Sequence, residues 1–546
     1  MRSISIPILI VLFLIISQSK ATTRRVPQDF AKIQLAINAA VNGDTVLVSE
    51  GTYIENIRIT KKIVVTSHFI IDNNKSHIAN TIINGINSSH PDSGSVVTIE
   101  GDVDTTAVIM GFTITGGKGN KRFVTAENIY GMQGGGVDVV TTGGARISYN
   151  VIRNNAIVNT GSVTNTWGGG IQVGSSSSDS ILKYAIIENN TIIENIVNGT
   201  YSEGAGMLLG MNGRITGNII TNNYCGRSGG GMSIGGGSNI IISQNYISHN
   251  IAALNGGGIL VYYYSPSLQQ PTLTLINNII VKNTAQGGSA MRMNGGDLRL
   301  IHNTIVNNSA TTYSIHLGTI SGSSNTVRLL NNIVWSPLSS NQITTTNGTI
   351  YSSNNCFYGG LTGTDNISTD PSFAPFDTLY NLSSGSPCIG AGDSSVSLGN
   401  ITLNAPLFDY LTKARPRETG TKPDIGAVEN DLPINVSVED ISGIPTSFNL
   451  DQNYPNPFNP STTIRYSLPS SANVKLVVYD LLGREIETLV NEEQTAGWKE
   501  VQWTVHNVSS GISAKGGYAS GVYFYRIDIN NKEKTVTEMK KCILLK

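Results

Sequence analysis

Three ionisable side chains occupy the same place in a recurring phrase, and their types suit proton chemistry. The phrase is Asn, any residue, Ile or Val, two residues, Asn. It starts at Asn150, Asn190, Asn218, Asn245, Asn278, Asn303 and Asn332, the last with Pro337 in place of the second Asn, and a degraded copy starts at Asn355. Four residues after each of the first six starts stand Asn154, Glu194, Asn222, His249, Lys282 and Asn307. If the copies stack, His249 and Lys282 become neighbours and Glu194 lies two copies away. A cation beside a base can neutralise a substrate carboxylate and take the proton next to it, as β-elimination on a uronate requires. The same residues also fit an ordinary solvated face. Asp138, Gln172, Leu208, Ser233, Leu260 and Arg292 make a second, mixed file behind the glycine phrases described below. Tyr262-Tyr263-Tyr264 is the most conspicuous aromatic group. Exposed rings there would stack on sugar faces; otherwise alternate rings pack under their own loop.

The elements that would position these residues follow from the repeat. Gly134-Gly135-Gly136, Gly168-Gly169-Gly170, Gly204-Ala205-Gly206, Gly229-Gly230-Gly231 and Gly256-Gly257-Gly258 precede short alternating runs such as Met232-Ser233-Ile234. Each run reads as a strand with one buried face. A unit of two or three such strands cannot bury its apolar side alone. Stacked copies can, because each strand then pairs with those above and below at about 4.8 Å. The recurrent Asn suits a corner of such a coil, tolerating positive φ and bonding to the same Asn one rung on. Unequal spacing of the phrase argues against a leucine-rich repeat or a propeller.

Composition agrees with an elongated array. Only 13% of the 546 residues are charged, and Gly is abundant at 59 residues. With 36 basic and 37 acidic residues, the charge balance gives no reason to expect nucleic acid or an anionic membrane surface. There is no dense carboxylate cluster for a metal, and no cofactor is expected. Residues 1–21 read as a signal peptide: Arg2, an apolar run from Ile6 to Ile16, and Ser19-Lys20-Ala21 as the cleavage site. That run is too short to span a bilayer, and no other candidate span follows. Four cysteines cannot staple a chain of this length. Cys356 and Cys388 flank one predicted cap and are the candidate disulfide pair, whereas Cys225 and Cys542 read as singletons.

Stacked coils need covered ends. Asp29 is placed to cap a short helix whose Phe30, Ile33, Ile37 and Ala40 share a face, before Asn42-Gly43 ends it. The stretch from Val26 to Ile59, with Gly43-Asp44-Thr45-Val46-Leu47-Val48 and Gly51-Thr52-Tyr53, resembles the opening of pectin-lyase-like right-handed parallel β-helix proteins. That resemblance implies that the helix plugs the coil. It specifies fold and leaves activity open, since the paired-Asp and His-Gly signatures of the β-helix glycosidases are absent. Thr369 to Pro375, Gly385 to Asp393 and Lys422 to Glu429 resemble a closing module of such bacterial coils, whose implied job is to end the stack. Residues 431–447 read as a linker, and charge density rises beyond it. Asn453-Tyr454-Pro455-Asn456-Pro457-Phe458-Asn459-Pro460, Tyr479-Asp480 with Gly483, Gly521-Val522-Tyr523 and the Lys-rich end resemble the type A sorting domain of the type 9 secretion system.

The fold class expected is therefore all-β: a right-handed parallel β-helix over 22–368, its C-terminal cap over 369–430, and a small immunoglobulin-like β-sandwich over 448–546. The sorting-domain resemblance implies export by the type 9 machinery and release or anchoring at the bacterial outer surface. Polysaccharide binding or adhesion is the function expected. A lyase, epimerase or glycosidase on the same scaffold is the alternative.

Overall fold

The structure, a computed structural model, describes residues 21–430 and 448–544 except 89, 91, 125–128, 159–164, 176–182, 238, 263–271, 319–324, 340, 346–347, 376, 418–420, 454–455, 457, 459–460, 482, 505–519 and 532–534. The candidate signal peptide lies outside the described residues apart from Ala21. The chain divides into two compact units, Met1–Leu432 and Pro433–Lys546.

The first unit is a coil of parallel strands, and the fold class matches the sequence expectation. Twelve strands form the first face, from Thr23–Val26 to Gly348–Ser353; eleven form the second, from Gly51–Tyr53 to Cys356–Phe357. Ten form the third, from Ile57–Ile59 to Asn341–Thr345, and six form a short fourth face, from Ala156–Val158 to Ser309–Ala310. Inward positions align tier over tier. On the second face Ile152, Ile192, Ile220, Ile247, Ile280, Ile305, Val334 and Phe357 are consecutive register partners, all fully buried. Branched aliphatics suit this column because they pack well on a pleated surface, and at roughly 25 cal/mol per Å² their burial supplies the main stabilisation.

Two files of buried asparagine, beginning at Asn150 and Asn155, run along the corners flanking the second face. In one, Asn218 is typical: its backbone N–H and side-chain Nδ2 both donate to Asn245 Oδ1, at 2.9 and 3.0 Å. Its Nδ2 also reaches Ile187 O and Thr216 O, while its own Oδ1 accepts the backbone N–H and Nδ2 of Asn190. The file continues from Asn150 to Asn355 and ends on Asn366 Oδ1. The second file, from Asn155 through Asn195, Asn223, Asn250, Asn283 and Asn308, ends on Ser336 Oγ, next to the Pro337 that breaks the phrase.

These asparagines do not take the positive φ that their type suggested. The left-handed residues are their neighbours: Tyr149, Asn189, Gln244, Asn277, His302, Asn331 and Asn354 on one side, and Asn154, Glu194, Asn222, His249, Lys282 and Asn307 on the other. The reason is geometric. The left-handed residue makes the bend, which turns the next side chain inward, where an amide can satisfy backbone groups that a corner leaves without ladder partners. At the other corner, Gly134, Gly168, Gly204, Gly229, Gly256 and Gly288 take φ between 62° and 74°. A Cβ on Gly256 would lie 2.7 Å from Ile259 O and 2.9 Å from Leu260 Cβ, so the chain can fold onto the third face only without one.

The N-terminal helix begins later than the sequence suggested, spanning Ile33–Ala39. Asp29 does not cap it; its carboxylate accepts the Arg25 N–H. Glu55 takes the role from a distance, accepting the N–H groups of Ile33 and Gln34 at 3.0 and 3.1 Å, where a negative charge suits the exposed donors of a helix start. Ile33, Ala36 and Ile37 are buried in the core of the first tiers.

Residues 369–430 lie along the flank of the coil, not over its end. Gln244, Asn277, Asn331 and Asn354, four of the left-handed residues of this corner, donate to Asp409 O, Phe408 O, Asp393 O and Ala391 O. Ile279, Val281, Val306 and Ile333 on the second face pack with Leu382, Ile425, Ala427 and Val428. The last tier is continued instead by Thr364 and Ile367, which bridge in parallel to Ser353 and Cys356, with Leu361 against the core.

The second unit pairs a three-stranded antiparallel sheet (Asn449–Leu450, Ser461–Leu468, Gly497–Thr504) with a four-stranded one ordered Glu485–Gln494, Ala472–Tyr479, Gly521–Asn530, Thr535–Leu544. Between them lie Phe458, Ile464, Tyr466, Leu476, Trp503, Tyr525 and Ile527. The asparagine and proline motif is stitched into this core: Asn453 N–H donates to the Tyr525 hydroxyl, and Asn456 Oδ1 accepts from Ile543 N–H.

Candidate functional site

The file Glu194, Asn222, His249, Lys282 stands at the corner between the second and fourth faces, on successive rungs. Each is left-handed, and each backbone N–H reaches over the next rung, as from His249 to Val281 O. His249 and Lys282 are brought together. Burial pushes the His249 imidazole below its ordinary pKa and the Lys282 ammonium adds to the shift, which favours the neutral ring. Glu194 is not part of that pair: Asn222 intervenes, and two rung spacings put it about 10 Å away. The three do not converge on one substrate atom.

Beside this corner the fourth face presents an exposed apolar file that sequence reasoning missed. Its strands are too narrow to hide both sides. Val197 and Cys225 point inward and are fully buried, whereas their neighbours Ile196, Tyr224 and Ile251 point out on three consecutive rungs and are 39%, 41% and 44% exposed. Tyr201, half exposed with the Arg227 guanidinium 4.7 Å above its ring, and Leu254 extend the surface around the next bend. The signal was available in the phrase, since Ile196, Tyr224 and Ile251 each directly follow its second asparagine. An apolar, partly aromatic strip with Glu194, His249 and Lys282 on one edge and Arg227 on the other offers a flat contact with polar rims.

The file from Asp138 to Arg292 runs up the outer side of the third face, and its charges are spent within the protein. Asp138 is completely buried; its Oδ2 accepts from Asn120 and from two nitrogens of Arg122, which also bridges to Glu100. Burial raises its carboxyl above the usual range. The arrangement ties the hairpin Gly119–Val124 and Ile129–Gln133 to the coil. Farther along, Arg292 bonds to Asn255, and His316 is half-buried with its pKa lowered by burial and by Arg292. Gln172, Leu208, Ser233 and Leu260, between them, are buried. Tyr262 ends a strand opposite Asn294; its side chain, and Tyr263 and Tyr264 altogether, lie outside the described residues. Among the described residues no three His, Cys, Asp or Glu side chains gather as a metal site.

The model of the right-handed β-helix region matches residues 157–384, and that of the secretion system C-terminal sorting domain matches 452–544. No curated relative matches the chain. Among solved structures, pectate lyase Pel9A aligns at 17% identity and a TM-score of 0.43 over 73% of this chain and 90% of that one. The dimeric latent PorU from Porphyromonas gingivalis aligns at 20% identity and 0.15 over 23% of this chain and 11% of that one, so the chain spans about a tenth of its length. Neither likeness bears on activity. The coil thus carries a right-handed β-helix region and the sandwich a secretion system C-terminal sorting domain, the two-part organisation that the sequence resembled.

Proposed function

We propose that the protein is a surface or released β-helix that binds polysaccharide along the outer side of its fourth face. The observation that carries this reading is the exposed file Ile196, Tyr224 and Ile251, edged by Glu194, His249 and Lys282. Sugar rings offer apolar faces and hydroxyl rims. Tyr224 and its aliphatic neighbours would take the faces, and the corner side chains would take the hydroxyls or a carboxylate. Residues 369–430 pack on part of the second face, whereas the fourth-face file is left exposed, which supports the choice of side. The test is retention of the full chain on a panel of acidic and neutral glycans, compared with a Tyr224→Ala, Ile251→Ser variant. Equal retention of both proteins would sink the reading.

A second reading has one observation in its favour, His249 and Lys282 on adjacent rungs of one corner, an imidazole next to an ammonium that favours its neutral form. It makes the same surface a polysaccharide lyase or a related carbohydrate-active enzyme. Unsaturated-uronate absorbance that appears with the wild type and vanishes with His249→Gln would establish it; glycan retention without turnover would not.

A further inference from the structure

The flank segment raises the question of what holds it to the last tiers, and two thiols stand at the junction. Cys356 begins the last strand of the second face, and Cys388 lies in the flank segment within the turns Gly385 to Asp393. Both side chains are completely buried in the cluster that joins the segment to the coil, with Ile333, Ile425, Ala427 and Val428 around them. The Cys356 thiol lies against Cys388, close enough for the two to share a hydrogen bond, and also donates to Thr369 O at 3.3 Å. The backbone presents the pair from both sides. Cys356 is fixed by pairing with Ile333 and bridging to Ile367; Cys388 is fixed by its N–H on Ser386 Oγ and its carbonyl on Ile425 N–H.

We propose that Cys356 and Cys388 are a cross-linking site, joined as a disulfide in the exported protein so that the flank segment is covalently tied to the final rung. Export takes the chain out of the reducing cytosol, where such a bond does not persist. The step balances by thiol–disulfide exchange with a protein disulfide of the export compartment. One cysteine, as thiolate, attacks that disulfide and releases one of its sulfurs; the second cysteine then displaces the other, leaving the Cys356–Cys388 bond and the oxidant as a dithiol. Two protons leave the cysteines and two electrons pass to the oxidant.

The other thiols have no such partner. Cys225 points into the coil under the fourth face and contacts Ser202 O and Ser228 O, and Cys542 belongs to the core of the second unit beside Tyr525. Timing follows from burial. In the docked state both sulfurs are enclosed in the junction cluster, out of reach of a protein disulfide, and the neighbouring Cys388 sulfur and burial push the Cys356 thiol up. Exchange therefore takes place while the flank segment is still off the coil, and docking then shields the bond from reductants.

The exported full chain is denatured with a thiol-trapping maleimide present, before and after reduction, and its peptides are mapped by mass. Two labels before reduction, on Cys225 and Cys542, and four after it, with one cross-linked peptide pair holding Cys356 and Cys388, are expected. Four labels before reduction, or a cross-link to Cys225 or Cys542, would overturn the proposal. Cys388→Ser gives an independent reading: it should expose Cys356 to label, raising the count before reduction to three, and two labels would be contrary. Reductant without denaturant should leave the wild-type bond intact.

Discussion

Removing one amide from the first asparagine file is the sharpest available perturbation, because each member satisfies several buried backbone groups at once. In Asn218→Ala the backbone N–H and the Nδ2 of Asn190 both lose the Oδ1 acceptor, while Ile187 O, Thr216 O and Asn245 Oδ1 each lose a donor. Asn218 is fully buried, so water does not replace the lost partners. Leaving a buried donor unsatisfied costs about 1 to 3 kcal/mol. The Asn190 Nδ2 keeps Ile147 O and Glu188 O as acceptors, so its backbone N–H is the donor left bare and the loss is about 1 to 3 kcal/mol, against an ordinary domain's stability of roughly 5 to 15 kcal/mol. The neighbouring Asn222 supplies the control: it is exposed, left-handed at φ 54°, and contributes no side chain to the file. Asn222→Gly should change stability by less than ~1 kcal/mol, because glycine adopts that φ freely. Urea unfolding reads the global effect, and amide exchange at Asn190 reads the local one, since nearest-neighbour contacts dominate a stacked coil. A loss under ~1 kcal/mol in Asn218→Ala, or an Asn222→Gly effect of equal size, would refute the assignment of the corner's stability to the amide file.

Further outcomes are expected. Gly256→Ala should destabilise the third-face corner by about 1 to 3 kcal/mol, through positive φ and the contact with Ile259 O, and a neutral effect in thermal unfolding would contradict the account of that turn. Breaking the proposed cross-link with Cys356→Ser should loosen the flank by about 4 kcal/mol on the chain-entropy account for a loop of some 30 residues, read as faster proteolysis within 369–430. At the same junction His302 is buried, bonded to Gly426 O and Asn331 Nδ2, and burial with the nearby Arg415 holds its pKa well below 6.5. A depressed histidine adds stability above pH 6.5 and loses it as pH falls. Glu429, pushed up to about 7 by burial, has the opposite sign, adding stability at low pH and losing it as pH rises. His302→Gln should therefore gain on the wild type by about 1.4 kcal/mol per pH unit below 6.5, measured as protection of the flank from protease. A constant difference between the two proteins from pH 7 to 5 would refute it.

The two levels of structure carried different information. The coil was legible because its period is written in residue types: aliphatics at every inward position, asparagine at every bend, glycine where a Cβ would strike the neighbouring strand. The sorting sandwich was legible in a contiguous motif, Asn453 to Pro460, whose residues meet their partners within one small domain. Sequence alone placed Glu194, His249 and Lys282 in one file, since a stacked repeat turns sequence spacing into spatial columns. What it could not decide was direction and distance. Only the fold showed that positive φ belongs to the residue beside each ladder asparagine, and that Tyr224 faces out while Cys225 faces in. The course of residues 369–430 was equally invisible, because packing along a flank is set by which apolar stripe the coil leaves uncovered, a property of the assembled tiers and of no local run of sequence.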